Sequence, residues 1–599
     1  MTKNNWSVTG KNRRAGVLVP LFSIYSEKSV GIGDFSDLRL AIDWCELTGN
    51  SILQLLPMND TGYTFCPYDA TSSFALESAY ISLDDVSPSG NGIVSKAVTM
   101  LRKSFQNKGN SSSVDYRIKD AKIELLRRIY ALEKGALDSK DFKSFCADNA
   151  YWLDDFAAFK ALKLRSGGKP WYEWDVPYRD REEAAMKSFL RANAEEMNFQ
   201  RWIQWLSFKQ FANARKYAKT KKVLIKGDLP ILISRDSADV WSRRDYFKMD
   251  NAAGAPPDMY CAKGQRWGMP TYDWEKIASD DYDYLKKKLN FAANFYDMLR
   301  VDHVVGLFRI WSIPYGDPEE NEGLNGVFDP KEENLWAGHG KKLLSVMLGE
   351  SKMLLCAEDL GMIPNACTEA LKEFAIPGNE VQRWVKDWAV THDFLPSEKY
   401  RAMSVSMLST HDTTNWAAWW ENEAGTVDEA LFRRKCEDRG IDYEAVTRQL
   451  FDPDLSKHGR LRWLTIVSSR EVLINVLGKK AEELADFIEL YENTFKEKEK
   501  LSAMLGQKGP MPERSSEKLV EKAIEITLES KSIFSINLIL DYLYLADVFK
   551  GDPYGYRINR PGTVNPNNWS LRLPISMESM LKHKVCKKIK EMIKLSGRI

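Results

Sequence analysis

Residues 353–364 read MLLCAEDLGMIP. Met353 to Ala357 form an unbroken apolar run, and Glu358 and Asp359 follow it with no basic neighbour. A carboxylate taken out of water is costly unless it is paired or neutralised. The chain repeats the pattern. SILQLLP (51–57) precedes Asn59 and Asp60, KVLIKGDLP (222–230) reaches Asp228, FYDMLRVDH (295–303) reaches Asp302 and His303, and MSVSMLSTHD (403–412) reaches His411 and Asp412. Most of these runs are continuous rather than alternating, as expected of parallel strands covered on both faces.

Helical patterns follow the strands. After Asp359 comes ACTEALKEF, with Asn365 as the expected cap and Pro377-Gly378 as the stop. TTNWAAWWENEAG follows Asp412, and SRDSADVWSRR follows Asp228. Repeated strand–loop–helix units predict an α/β fold, a (β/α)8 TIM barrel with helical insertion subdomains. The competing arrangement is a doubly wound open sheet, which gathers functional residues in one crevice rather than around a ring. In the barrel, the C-terminal ends of the strands carry the active site, and that is where the acids fall.

The 599 residues are long enough for one large barrel with insertions. Residues 1–425 are read as the barrel, with a mainly helical insertion at about 94–220. Residues 426–530 are read as a helical insertion subdomain, and 531–599 as the chain returning to complete the barrel. In the first insertion Ile118, Leu125, Ile129 and Leu132 recur at helical spacing.

Lys+Arg 85 against Asp+Glu 84 leaves a net charge of +1, so no electrostatic case exists for a nucleic-acid or membrane partner. The eight cysteines form no CxxC pair, which points to reduced thiols, a cytoplasmic location and no zinc site. AGVLVPLFSI near the N-terminus is read as a first buried strand rather than a leader, and no run is long enough for a membrane helix. Neither a P-loop nor a GxSxG elbow is present, and GIGDFSDL (31–38) lacks the third glycine of a dinucleotide fingerprint. No cofactor is expected.

Asp302, Glu358 and Asp412 are the strongest candidate constellation. A retaining glycosidase needs a nucleophilic carboxylate and a second carboxyl as acid/base, about 5–5.5 Å apart and in different protonation states. Arg300 lies two residues before Asp302, so the two share a strand face and the guanidinium favours the ionised carboxylate, suiting Asp302 to the nucleophile. Glu358 follows an apolar strand without an adjacent cation, and desolvation raises its pKa, as an acid/base requires. Asp412, beside His411, suits hydrogen bonding to sugar hydroxyls and stabilisation of an oxocarbenium-like transition state. Asp359 is expected to turn away and anchor its loop. For any single acid, a helix cap or a buried ion pair is the competing explanation; three acids at three strand ends beside Arg300, His303 and His411 favour chemistry. A metal hydrolase would want more histidine than the six present. The Gly/Pro-rich stretch GAPPDMYCAKGQRWGMP (254–270) is read as a long loop, either a lid offering Gln265, Arg266 and Trp267 to a ligand or a plain surface loop.

Together these stretches resemble a known family. GIGDFSDL, CPYDATSSFALESAYISL, YWLDDFAAFKALK, KGDLPILISRDSADVW, GAPPDMYCAKGQRWGMPTYDW, LRVDHVVGLFRIWSIP, CAEDLGMIP, STHDTTNW and RINRPGTVNPNNWSLRLP are similar to motifs of the 4-α-glucanotransferases called amylomaltases or disproportionating enzymes, in the α-amylase-type barrel group. The resemblance covers about 15–420 and 540–574. It implies Asp302 as nucleophile, Glu358 as acid/base and Asp412 as transition-state stabiliser. It further implies Arg300, His303 and His411 around the transferred sugar, and Tyr68, Gln265 and Trp267 as glucan contacts. Expected partners are maltooligosaccharide or α-glucan substrates, on a monomer or homodimer with no all-β C-terminal domain. A glucan hydrolase on the same barrel and a non-catalytic glucan-binding protein are the alternatives. Thr413 and Thr414 follow Asp412 where the family often has Asn, which leaves that neighbour's role open.

Overall fold

The computed structural model describes residues 4–598 apart from 63, 87–91, 107–111, 259, 260, 262, 389, 508 and 510. Eight parallel strands form the central sheet: β1 (Arg14–Leu18), β2 (Ile52–Gln54), β3 (Leu224–Leu229), β4 (Met298–Val301), β5 (Leu354–Ala357), β6 (Gly378–Val381), β7 (Ser404–Met407) and β8 (Phe534–Leu538). Their order is β5-β4-β3-β2-β1-β8-β7-β6, so the ring closes everywhere by ladder pairing except between β5 and β6. Nearly every residue of these strands is buried, as the continuous apolar runs require.

The β5–β6 seam is closed by other means. The Ala357 N–H donates to Pro377 O at 2.8 Å. Asp359 turns its carboxylate across the seam, accepting the Asn379 N–H at 2.6 Å and pairing with Arg401 at 2.6 Å. A Cβ on Gly378 would stand 2.2 Å from Asp359 Oδ2, so this closure needs glycine at that point. Arg401 also binds Glu380 and the Asn379 carbonyl.

Two of the eight strands were not picked out by sequence patterning. β6 is short and carries Asn379 and Glu380, whose polar groups serve the seam. β8 lies in the segment expected to complete the barrel, inside the longer apolar stretch SIFSINLILDYLYL.

The described residues between 94 and 220 are mainly helical, and the helix Arg117–Leu132 buries Ile118, Leu125 and Ile129. Leu132, placed on the same stripe by spacing, is instead 61% exposed at the helix end. The segment after residue 425 departs from the helical expectation. Thr426–Asp428, Arg460–Trp463 and Phe451–Lys457 form a three-stranded antiparallel sheet. With the surrounding helices it encloses a separate apolar core around Phe432, Phe451, Trp463 and Phe487. The charges of FDPDLSKHGRLRW lie on an exposed hairpin and obscured its strand pattern. The helix Glu517–Glu529 packs its Leu519, Val520, Ala523 and Ile524 into the main core, beside the barrel.

Above the C-terminal mouth stands a four-stranded antiparallel sheet of Val327–Asp329, Ile310–Pro314, Asn251–Ala255 and Gln265–Arg266. The stretch 254–270 is therefore partly strand, not a simple loop. A Cβ on Gly254 would meet Gln265 O at 2.1 Å, so the two strands approach more closely than a side chain permits. Met259, Tyr260 and Ala262 of this stretch lie outside the described residues. Among the described residues no helix is long and apolar enough to cross a membrane.

Candidate active site

The strand ends converge at the barrel mouth. Register pairs Val301 of β4 with Ala357 of β5, so Asp302 and Glu358 follow directly from neighbouring positions. Adjacent strands run about 4.8 Å apart. The Glu358 N–H donates to Val301 O at 2.9 Å, and the His303 N–H donates to Glu358 Oε2 at 2.8 Å. Leu360 donates its N–H to Glu358 Oε1 at 3.0 Å, so both carboxyl oxygens are held by backbone.

Arg300 and Asp302 share a strand face, as the i, i+2 spacing requires, and Arg300 Nη1 reaches Asp302 Oδ1 at 2.7 Å. The same Nη1 donates to both oxygens of Asp228 at 2.8 Å. Asp228, at the end of β3, is fully buried and also accepts the Tyr68 hydroxyl at 2.8 Å.

This sharing corrects one electrostatic expectation. Burial pushes the Asp302 carboxyl up, Arg300 pulls it down, and the Asp228 charge pushes it up again; the balance stands at about 6, above the ordinary carboxylate range rather than below it. Glu358 rises further, to about 7, chiefly by burial, against the pull of Arg300 and with the push of Asp302. Glu358 is thus the weaker acid of the two. Asp228 was visible as a strand-end acid, but sequence did not show that it competes for Arg300.

Asp412 forms the opposite pole. Its Oδ2 stands 3.2 Å from His411 Nε2, and its Oδ1 accepts the Asn559 amide at 2.7 Å. Although burial opposes ionisation, His411 and Asn559 outweigh it and hold Asp412 down at about 2. Burial works against protonation of His411, but the Asp412 carboxylate overrides it and raises its pKa. The His411 ring stacks on Tyr68 with centroids 5.1 Å apart and planes 15° apart, and Trp569 lies against both. Asn559 and Trp569 come from RINRPGTVNPNNW, where the motif gave no individual roles. Thr413 bonds across the turn to Thr410, and Thr414 bonds to Arg383 and Glu423. The two threonines thus brace the loop beneath Asp412, and the next helix is capped by Asn415.

His303 adopts a left-handed backbone, φ 45°, an uncommon state for a non-glycine residue. Its ring is met edge-to-face by Trp267 at 4.9 Å. Burial, with Arg300 nearby, lowers its pKa to about 4, so it is neutral at pH 7. Trp267 donates its indole N–H to Gln265 Oε1 at 3.0 Å. The nine residues that the family resemblance implies therefore meet at or beside the mouth. Among the described residues no three His, Cys, Asp or Glu side chains converge as a metal-ligand set.

A sequence model of a family described as 4-alpha-glucanotransferase matches residues 19–577. This chain belongs to the 4-alpha-glucanotransferase family. It is 32% identical over 583 residues to the 4-alpha-glucanotransferase of Chlamydia pneumoniae, covering 97% of this chain and 95% of that protein. To the Chlamydia muridarum 4-alpha-glucanotransferase it is 33% identical over 586 residues, 96% of this chain and 94% of that one. Its fold matches the amylomaltase of Streptococcus agalactiae, solved in complex with acarbose, with a TM-score of 0.71 over 98% of this chain and 99% of that one at 22% identity. The protein is accordingly a glycosyl-transferring enzyme of this family, built on a nearly closed (β/α)8 barrel.

Proposed function

We propose that this 4-alpha-glucanotransferase cleaves an α-1,4-glucan with retention and passes the glucosyl segment to the 4-hydroxyl of glucose or another glucan. The observation that carries the reading is the paired register of β4 and β5, which sets Asp302 and Glu358 directly after the last paired residues of neighbouring strands. A spacing of about 4.8 Å between strands suits the short carboxyl separation of retaining enzymes, not the wider one that admits a water for inversion.

Asp302 is the nucleophile. Arg300 holds its Oδ1, and its Oδ2 takes no protein donor among the described residues, leaving a lone pair for the anomeric carbon. As Oδ2 bonds to C1, the C1–O bond breaks and Glu358 gives its proton to the departing oxygen. Glu358 then takes the proton of the acceptor 4-hydroxyl, that oxygen bonds to C1, and the Asp302 carboxylate leaves. Two inversions give net retention. Asp412, held anionic by His411 and Asn559, stabilises positive charge at the sugar ring and accepts its hydroxyls. Tyr68 and His411 supply a flat wall beside that sugar, and neutral His303 a hydrogen-bonding edge. Gln265 and Trp267 cover the site and exclude water, which favours transfer over hydrolysis.

Product analysis from maltotriose tests the reading. Disproportionation gives glucose together with chains longer than maltotriose. Shorter sugars alone would mean hydrolysis and overturn the transferase assignment.

A further inference from the structure

The chain contains 19 Trp, 24 Tyr and 26 Phe. Among the described residues the two most exposed of these aromatic residues are Tyr172 at 39% and Tyr315 at 44%. They come from elements more than a hundred residues apart, yet both line one cleft of about 600 Å³, together with Ser234, Arg235, Trp267 and Asp317. The two most exposed of the described rings thus stand in a single groove.

The groove is rigidly built. The Arg235 guanidinium lies 3.6 Å from the Tyr315 ring centroid and is anchored through Met249 O at 2.8 Å and Asn251 O at 2.7 Å. Arg266 clamps the Tyr315 and Asp317 carbonyls, each at 2.5 Å. Beside Tyr172, the Trp171 N–H donates to Asp236 at 3.1 Å and the Trp171 indole donates to Arg235 O at 2.7 Å. Tyr315 is therefore already held when a ligand arrives, which lowers the entropic cost of binding, and the Tyr172 ring lies edge-on to the anchored Trp171 at 5.7 Å. An exposed tyrosine face beside guanidinium and carboxylate groups suits a ligand with apolar C–H faces and a rim of hydroxyls.

Trp267 fixes which end of the substrate this is. One side of Trp267 meets His303, whose N–H is held by Glu358, while Trp267 also lines the cleft. Asp412, His411, Tyr68 and Trp569 stand at the opposite pole. Resting on the reading of Glu358 as the group that serves the departing oxygen, the cleft extends the site on the leaving-group side. We propose that Tyr172 and Tyr315 form an outer acceptor subsite, which stacks α-glucan units beyond the one that receives the transferred segment.

The test uses amylose as donor and radiolabelled glucose, maltose, maltotriose and maltotetraose as acceptors. In the native enzyme acceptor KM falls with acceptor length. In Tyr172→Ala/Tyr315→Ala the KM for maltotetraose rises about fivefold or more, the effect of losing a stacked apolar face, while that for glucose stays within about twofold. Tyr172→Phe/Tyr315→Phe keeps the native length dependence. Tyr172→Ala alone, which leaves the Arg235–Tyr315 stack intact, shows a smaller effect of the same sign and serves if the double variant does not fold. An unchanged length dependence, an equal loss with glucose, or a change confined to the KM for amylose would overturn the proposal. Absence of any transfer in the native enzyme would overturn the glucanotransferase reading as well, and is distinct from transfer without length dependence.

Discussion

Glu358 Oε2 accepts the backbone N–H of His303 at 2.8 Å, tying the carboxyl at the end of one strand to the residue after Asp302 on the next. In the proposed mechanism this bond fixes where the acid stands relative to the nucleophile. Glu358→Gln preserves the side chain's shape but cannot shuttle a proton. We expect kcat on maltotriose to fall by about 10²–10⁴. With a glycosyl fluoride donor, whose leaving group needs no proton, formation of the covalent intermediate should recover most of its rate, measured as fluoride release.

The pH dependence of kcat/KM follows from the same pair. Asp302 must be ionised to attack, so activity falls as pH drops through about 6. Glu358 must be protonated to begin, so activity falls as pH rises through about 7. The profile is a narrow bell whose limbs belong to the coupled pair. Asp412, held at about 2, adds no limb in this range. A broad plateau from pH 5 to 9 would contradict this account.

Asp228 sets the acid limb. Asp228→Asn removes a negative charge beside Asp302 and releases Arg300 to it, so the acid limb moves to lower pH. Tyr68 keeps a partner in the asparagine oxygen, but Arg300 loses a buried counter-charge. The variant should lose about 3 kcal/mol of stability, read by urea unfolding, while its profile shifts downward.

Burial of Glu358 has a cost that depends on pH. Its folded pKa of about 7 lies above the ordinary 4.5, so the folded state binds the proton more tightly. The stability from that proton is full below pH 4.5 and lost as pH rises through 7. Glu358→Gln lacks this loss. Its stability relative to the native enzyme should therefore improve by on the order of 3 kcal/mol between pH 4.5 and 7.5. Urea titrations at both pH values check the sign.

Asp359 closes the barrel where strand pairing does not. Asp359→Ala removes the acceptor of Asn379 N–H and one of the two carboxylates paired with Arg401, leaving Glu380 as its remaining partner. We expect a loss of about 2–4 kcal/mol with the β5–β6 seam exchanging amide hydrogens fastest, seen by hydrogen exchange of residues 354–381. A loss spread evenly over the barrel would argue against a seam role.

Much of this was legible in the chain because burial on both faces writes continuous apolar runs, and acids interrupt them at the strand ends. β3, β4, β5 and β7 were marked in that way, as were Asp302, Glu358, Asp412 and the turn of Asp359 away from the site. β6 was not, because Asn379 and Glu380 work for the seam and break the apolar pattern. The role of Asp228 was hidden for a different reason. Spacing within one strand placed Arg300 beside Asp302, but only three-dimensional register brings a neighbouring strand's acid onto the same guanidinium. Asn559 reaches Asp412 from 147 residues away, a pairing that no local pattern encodes.

The account turns on Asp302 as the residue that carries the sugar. Incubating Glu358→Gln with a maltosyl fluoride blocked at the non-reducing 4-hydroxyl, then digesting at low pH and sequencing the peptides by mass spectrometry, tests this most directly. The account predicts a maltosyl ester on the Asp302 side chain, absent from Asp302→Asn/Glu358→Gln. An ester on any other carboxylate, or fluoride release with an inverted product and no adduct, would contradict it.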